Sequence, residues 1–425
     1  MSVVVLRGDA AHLPLPDGSV DLICTSPPYW NLRDYRDGGE SLKGQIGSEE
    51  TPQEWLEALL NCTREWMRVL KPEGSIFVDL GDKYSARADG SAKRSGRRDH
   101  AGCMAPVRNA RSLGRAKSLL LLPERYRIGC VDQLDLIARA KIVWSKPTAL
   151  PESAEDRVQT AHEDIVHLVK RPRYFSAVDE IRVPHTGTAH PQKRAPVGSA
   201  SGNGVRHRTF AGQTEVFNPL GKLPGSVWEI ASVPLIVPEW LEHGRCCGGR
   251  KRAGCEDGLD HHAAYPPELC RRIILGWSPS GICVECGEGR RPVASSVRTF
   301  DGVPRDDLPA WADPAAPRRT PNGAGHWRFG TDRRHLGYAC ACAMATAPTR
   351  PAWVVDPFGG SGTTALVADV LGRTGITVDR SADYCRLATW RTTDPGERAR
   401  AMGVPKPPPV LEGQRSLFDT DESVA

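Results

Sequence analysis

The sequence predicts an α/β protein whose sheet is mostly parallel and covered by helices on both faces. Two observations predict it. Short apolar runs of strand length recur along the chain and alternate with stretches whose apolar residues recur at helical spacing. A glycine-rich turn, "VVDPFGGSGTT" (Val354 to Thr364), leads from an apolar strand directly into an apolar helix, "ALVADVLG".

The elements follow in chain order. Val3 to Leu6 and Val20 to Thr25 read as strands. A helix then begins with Thr51 as N-cap, Pro52 at the first helical position and Glu54 completing a capping box. Trp55, Leu59, Cys62, Trp66 and Val69 recur at helical spacing, and Lys71-Pro72-Glu73-Gly74 is expected to stop the helix. "SIFVDL", Ser75 to Leu80, reads as a buried strand, and further strands are expected at Lys141–Trp144, Ile165–Val169, Trp353–Val355 and Gly375–Asp379.

The chain has 425 residues and a formal net charge of +5, a mild basic excess compatible with a nucleic-acid partner. No apolar run reaches the roughly 18 residues of a membrane span, and the N-terminus lacks signal-peptide features. A cytoplasmic protein is expected, so the 13 Cys are read as metal ligands or core residues rather than disulfides. Residues 85–117 are strongly basic, 183–218 are rich in Gly, His, Arg and Thr, and Arg290 to His335 look like an insertion. From residue 396 on, a Pro-rich charged tail is expected to be disordered.

Gly359, Gly360 and Gly362 permit a tight turn and close backbone approach to a ligand, with free amides of a helix start behind them. No lysine follows, as a triphosphate loop would require. Asp379 ends the next strand, "GITVD", where an acid can accept hydrogen bonds from ribose hydroxyls. These residues alone are equally a site for an adenosine-bearing cofactor and an ordinary strand-to-helix turn.

A second segment decides between them. "CTSPPYW", Cys24 to Trp30, puts two prolines at the end of an apolar strand. The pair of loops resembles the DNA amino-methyltransferases that use S-adenosylmethionine. There a Phe-x-Gly-x-Gly loop holds the cofactor and an (Asp/Asn/Ser)-Pro-Pro-(Tyr/Phe/Trp) loop holds the target base. Here they read Phe358-Gly359-Gly360-Ser361-Gly362 and Ser26-Pro27-Pro28-Tyr29, in the permuted order that resembles the beta group. The resemblance covers roughly residues 1–182 and 218–390. It implies a Rossmann-like methyltransferase fold with circularly permuted motif order and insertions.

On that resemblance the chain divides into a catalytic half (1–182, with the basic loop 85–117), a target-recognition segment (183–218), a return to the methyltransferase domain (219–282), a zinc-bound insertion (283–349), a cofactor-binding half (350–395) and the tail (396–425). The cofactor contacts implied are Asp356, Pro357, Phe358, Gly359, Gly360, Ser361, Gly362, Thr363 and Asp379. "HHAAYPPEL" adds Tyr265 and Pro266, with His261 and Ala264 at matching positions. Asp9 matches an acid near the cofactor's adenine, although a turn after the first strand explains it too.

The chemistry explains the prolines. An exocyclic amine on a base is a weak nucleophile because its lone pair is delocalised into the ring. Acceptors that grip its hydrogens pull the nitrogen toward tetrahedral geometry and free that pair. Proline offers a carbonyl and no competing amide hydrogen. Ser26 Oγ and the Pro27 carbonyl are therefore expected to hold the amine, with Tyr29 stacked on a base flipped out of the duplex. No Pro-Cys dipeptide is present, which disfavours attack at cytosine C5, and Cys24 reads as a core residue. Ser at the first loop position goes mostly with cytosine N4 in the family, so that target is expected ahead of adenine N6. An inactive zinc-bearing DNA-binding protein is the rival from another class. RNA or protein amides are a further substrate reading. Asp79 and Asp82 are expected to support loops.

Cys283-x-x-Cys286 and Cys340-x-Cys342 make a plausible four-sulfur zinc site at the base of the insertion. The expected partner is double-stranded DNA, with basic residues of 85–117 on phosphates and Arg206, His207, Arg208 and Gln213 at base edges. A cognate restriction enzyme is a further expected partner. Gln414 to Phe418 resembles a short peptide that docks on the replisome's sliding clamp, although Arg415 departs from the usual Leu. Packing of Leu417 and Phe418 on the enzyme itself is the alternative.

Overall fold

The structure, a computed structural model, describes residues 3–33, 35–37, 40–85, 115, 117–149, 151–152, 154–184, 220–233, 235, 237, 265–300, 303–304, 329–340, 342 and 347–403. The clamp-like peptide Gln414–Phe418, the base-reading candidates Arg206, His207, Arg208 and Gln213, most of the basic loop, and His261 and Ala264 lie outside these residues.

In the first half the elements are β1 (Val3–Arg7), β2 (Val20–Thr25), β3 (Arg36–Asp37), β4 (Glu40–Ser41), α1 (Pro52–Val69), β5 (Leu70–Leu80), α2 (Leu122–Leu134), β6 (Ile137–Ser145), β7 (His162–Val169) and β8 (Val227–Glu229). The second half adds α3 (Pro267–Trp277), β9 (Ile282–Cys283), β10 (Arg291–Phe300), β11 (Val303–Pro304), β12 (Phe329–Ala339), β13 (Thr349–Arg350) and β14 (Trp353–Asp356). Then come α4 (Thr363–Val370), β15 (Thr374–Asp379), α5 (Ala382–Thr393) and α6 (Pro395–Met402).

One sheet organises the chain, in the order β1-β15-β14-β2-β5-β7-β6-β8. It is parallel from β1 through β5. β7 then runs antiparallel to both β5 and β6, so the expected mostly parallel sheet is mixed at this end. Among the described residues the link from β6 to β7 carries no helix, and an antiparallel pairing needs none. Along β5, Ile76, Val78 and Leu80 join Trp55, Leu59 and Trp66 of α1 and Tyr126 of α2 in one core. Phe77 faces the opposite core, with Leu269 and Ile273 of α3 and Leu366 of α4. Helices thus cover both faces, as the alternation predicts.

The start of α1 matches its sequence signals. Thr51 Oγ1 accepts the Glu54 N–H and the Glu54 carboxylate accepts the Thr51 N–H. Its end at Val69, just before Lys71-Pro72-Glu73-Gly74, matches too. The strand expected from Ser75 begins earlier, because β5 starts at Leu70. Val20 pairs with Leu70 and Leu22 with Ser75, so the segment bulges out of the ladder, where a proline is tolerated. A buried Lys71–Asp21 ion pair holds the bulge, and Asp21 also accepts the Trp353 N–H at 2.8 Å.

One other expectation is corrected. The tail expected from residue 396 begins later, because Pro395–Met402 is helical, capped by Asp394, whose carboxylate accepts the Glu397 N–H at 2.8 Å. The Arg290–His335 segment, read as an insertion, carries an antiparallel pair of strands, β10 and β12. α2 starts without a cap of its own, and Asp82 accepts the N–H groups of Leu121 and Leu122 instead, both at 3.1 Å. Asp82 is the loop-supporting carboxylate expected of it.

Two long connections are closed at their feet. The Leu120 N–H donates to the Lys83 carbonyl at 2.9 Å and the Ser85 N–H to Ser118 at 2.8 Å. Val183 and Lys222 exchange two backbone hydrogen bonds, of 3.0 and 2.9 Å, around the segment between them. No helix among the described residues is long and apolar enough to cross a membrane.

Candidate active site

The glycine turn leaves β14 and the Ser-Pro-Pro-Tyr loop leaves β2, two adjacent parallel strands, at their carboxyl ends. Ligands of open α/β sheets bind in that crevice. In the turn each glycine has its own reason. A Cβ on Gly359 would lie 1.6 Å from Thr377 Oγ1. Gly360 and Gly362 have φ of +49° and +73°, in the left-handed region. The Gly359 N–H donates to the Val378 carbonyl at 2.8 Å and the Gly362 N–H to the Gly359 carbonyl at 2.7 Å. No side chain caps α4 behind the turn. The ring of Phe358 stands edge-on to Trp66, centroids 6.0 Å apart.

Asp379 ends β15 beside this turn. It accepts the Gly360 and Ser381 N–H groups, each at 2.9 Å, one on each oxygen. Burial pushes its carboxyl up to about 6, and these two N–H groups hold it from rising further. Each oxygen keeps acceptor capacity for a ribose hydroxyl.

Asp356, in contrast, is turned into the protein. Its buried carboxylate accepts Thr25 Oγ1 at 2.6 Å, Tyr265 Oη at 2.7 Å, Thr364 Oγ1 at 2.9 Å and the Phe358 N–H at 3.1 Å. Thr364 Oγ1 also lies 3.1 Å from the Cys24 carbonyl. Asp356 therefore ties the end of β2, the glycine turn and the segment before α3 into one unit. Tyr265, expected at the methionine end of the cofactor, spends its hydroxyl in this knot, and Pro266 forms the N-cap position of α3.

Ser361 and Thr363 are also turned inward. Arg391 Nη1 donates to their hydroxyls at 2.8 and 2.5 Å, and Arg391 Nε donates to Glu397 at 3.0 Å. All of these groups are buried. The side chains of Ser361 and Thr363 are both spent inward, on a turn that a buried ion pair holds from beneath. Asp9 makes a turn by accepting the Ala11 N–H at 2.9 Å and lies 3.8 Å from Arg380.

The acceptor loop is equally supported. Trp55 Nε1 donates to the Pro28 carbonyl at 3.0 Å. Among the described residues the structure records no donor on the Pro27 carbonyl. The ring of Tyr29 lies over Gly81, where a Cβ would come within 2.7 Å of it. Its hydroxyl points inward, 3.4 Å from Ser26 Oγ and 3.5 Å from Asp79 Oδ2. Burial, with Asp79 and Glu163 nearby, keeps that phenol protonated. Cys24 lies buried in β2 as expected.

Sequence reasoning missed Gly81, Glu163, Arg391 and Glu397, and gave Asp79 too small a part. An acid inside the apolar run "SIFVDL" was a signal for Asp79. Nothing local marks Arg391.

The four sulfurs of Cys283, Cys286, Cys340 and Cys342 lie within 4.8 Å of one another. Sulfurs on a tetrahedral zinc at about 2.3 Å would be about 3.8 Å apart, so the quartet fits such an ion with little adjustment. Gly287, at φ +72°, closes the knuckle. Backbone N–H groups of Cys286 and Glu285 aim at the Cys283 sulfur and draw its thiol down to about 7, which favours the thiolate that binds metal.

A cofactor turn and an acceptor loop knotted together at the carboxyl ends of adjacent strands define an α/β fold of the methyltransferase class. The chain belongs to the DNA methylase family, the amino-methyltransferases of DNA, which it matches over residues 20–284 and 346–389. It is 30% identical over 398 residues to Type II methyltransferase M.SfiI of Streptomyces fimbriatus, covering 87% of this chain and 86% of that one. It is 34% identical over 273 residues to Type II methyltransferase M.XycI of Xanthomonas campestris pv. cyanopsidis, covering 64% and 71%. Among solved structures, the PvuII DNA methyltransferase (cytosine-N4-specific) aligns with a TM-score of 0.50 over 95% of this chain and 91% of that one, at 16% identity. That likeness is one of fold.

Proposed function

We propose that this protein transfers a methyl group from S-adenosylmethionine to the exocyclic N4 amine of cytosine in double-stranded DNA. The observation that carries the reading is the Asp356 knot, which joins the glycine turn to the strand that ends in Ser26-Pro27. A bound sulfonium would supply an activated methyl group and depart as the neutral thioether, the methylated nitrogen would release one hydrogen to solvent as a proton, and the protein's own task is alignment. Asp379 receives ribose hydroxyls, and the backbone of Phe358 to Gly362 receives the rest of the nucleoside. Ser26 Oγ and the Pro27 carbonyl accept the two amine hydrogens, while the Tyr29 ring stacks on the flipped base. Ser26 at the first position of the loop, which goes mostly with cytosine N4 in the family, favours cytosine. Digestion of DNA methylated by the purified protein should release N4-methyl-2′-deoxycytidine, and N6-methyl-2′-deoxyadenosine in its place would reassign the base.

Tyr29→Ala should lower kcat/KM about 10- to 100-fold, the worth of one base–aromatic stack of about 1–3 kcal/mol, with cofactor affinity nearly unchanged. Methylation at the parental rate by that variant would remove Tyr29 from the base pocket.

The same reading includes a structural zinc on Cys283, Cys286, Cys340 and Cys342, fastening the β10–β12 hairpin to the cofactor half. Protein purified without chelator should carry about one zinc per chain, and Cys286→Ser should release it. Zinc-free protein whose four thiols alkylate freely in the folded state would refute the site. The relatives named as Type II methyltransferases suggest that this chain is the protecting member of a restriction-modification pair, with a cognate nuclease as its functional partner.

A further inference from the structure

Behind the acceptor loop lie two acids that the reaction as described does not use. Asp79, on β5, is opposite Ile165 of β7, and Glu163 lies two residues along on the same face of the sheet. Glu163, the diagonal neighbour of Asp79 across the ladder, bears on its carboxyl and is paired with Lys146 at 2.6 Å. Lys146 in turn lies over the Trp144 ring, 4.2 Å from its centre. Glu163, Lys146 and Tyr29 are the titratable neighbours that bear on Asp79.

Asp79 is 4% exposed. Its Oδ2 faces the Tyr29 hydroxyl, but its Oδ1 is buried with no hydrogen-bond partner. An ionised carboxylate there would leave a buried acceptor unsatisfied beside a second negative charge. A carboxylic acid removes both faults, because its proton has the lysine-paired Glu163 to go to. Burial first, and Glu163 second, push the Asp79 carboxyl well above its ordinary range.

We propose that Asp79 is a positioning residue that, in its protonated form, makes the Ser26 hydroxyl an acceptor toward the target amine. The proton of Asp79 goes to Glu163, so Asp79 Oδ2 is left to accept from Tyr29. The Tyr29 hydroxyl, having donated to Asp79, accepts from Ser26. Ser26 Oγ, its hydrogen directed away from the pocket, presents lone pairs only. A hydroxyl free to rotate would point its hydrogen at the amine nitrogen for part of the time and engage the lone pair that must attack. The two links, 3.4 and 3.5 Å, are long for hydroxyl hydrogen bonds, as such contacts often are before substrate binds.

The inference rests on Ser26 as the amine acceptor, so Ser26→Ala is measured beside the Asp79 variants. Asp79→Asn keeps an acceptor for Tyr29 and a donor for Glu163, and its kcat should stay within about threefold of the parent. Asp79→Ala should lose about 100-fold in kcat, with DNA KM and cofactor Kd unchanged. In the parent, kcat should fall as alkaline pH ionises Asp79, and that limb should move to higher pH in Asp79→Asn, which has no proton there to lose. A protonated-carboxyl infrared band present in the parent and missing from Asp79→Asn is expected at neutral pH. The proposal is overturned if Asp79→Asn is as slow as Asp79→Ala or if the two alkaline limbs coincide. Ser26→Ala at the parental rate would instead overturn the Ser26 reading on which it stands.

Discussion

Arg391→Met is expected to destabilise the protein by about 3 kcal/mol and to weaken cofactor binding with it. Arg391 and Glu397 are buried partners, and removing one leaves the other charged in the interior. The loss stays at the low end for such pairs because Arg400 also reaches Glu397, at 2.9 Å. The same substitution takes the donor away from Ser361 and Thr363, so the glycine turn loses its support from below. Arg391→Lys keeps the charge but not the two-sided fork, and should fall between. Urea unfolding and titration with S-adenosylmethionine measure the two effects. Unchanged cofactor affinity in a destabilised Arg391→Met would mean that the ion pair serves the fold alone.

The second large effect is at Asp356. Asp356→Ala leaves the hydroxyls of Thr25, Tyr265 and Thr364 and the Phe358 N–H without their shared acceptor. At about 1–3 kcal/mol for each buried group left unpaired, partly recovered by rotating hydroxyls, a net loss of about 3 kcal/mol is expected. The two loops would also lose their common anchor, so methyl transfer should fall about 100-fold, more than cofactor affinity does. Asp356→Asn retains one carbonyl for Thr25 and Phe358, and the two remaining hydroxyls can turn to accept from its amide. It should recover most of the stability. Equal loss in both variants would show that the charge at Asp356, and not its geometry, holds the site.

The parts of this site that were legible in the sequence are those whose reasons are local. Two prolines cannot extend a strand, three glycines beside an apolar helix start mark a turn, and Thr51-Pro-x-Glu54 starts a helix. Asp394-Pro-x-Glu397 carries the same signal, yet the Pro-rich stretch beyond it hid α6. The supports of the site were not legible, because their partners meet only through the sheet's register. Asp356 finds Thr25, Asp79 comes beside Glu163 through the antiparallel turn of β7, and Arg391 reaches back under the glycine turn. Pro72 misled for a related reason: a bulge answered to β2, a distant strand, and not to its neighbours.

The closed feet of the two long connections carry a consequence for how such a chain can change. Where Lys83 meets Leu120, and where Val183 meets Lys222, the two ends of a long connection are brought together by backbone hydrogen bonds. The cost of closing an excursion grows only with the logarithm of its length, about 0.6 kcal/mol for each doubling. Residues between such feet can be lengthened, shortened or replaced while the catalytic strands keep their register. On the proposed reading of residues 183–218 as the target-recognition segment, substrate choice can then diverge between lineages without the chemistry being rebuilt each time.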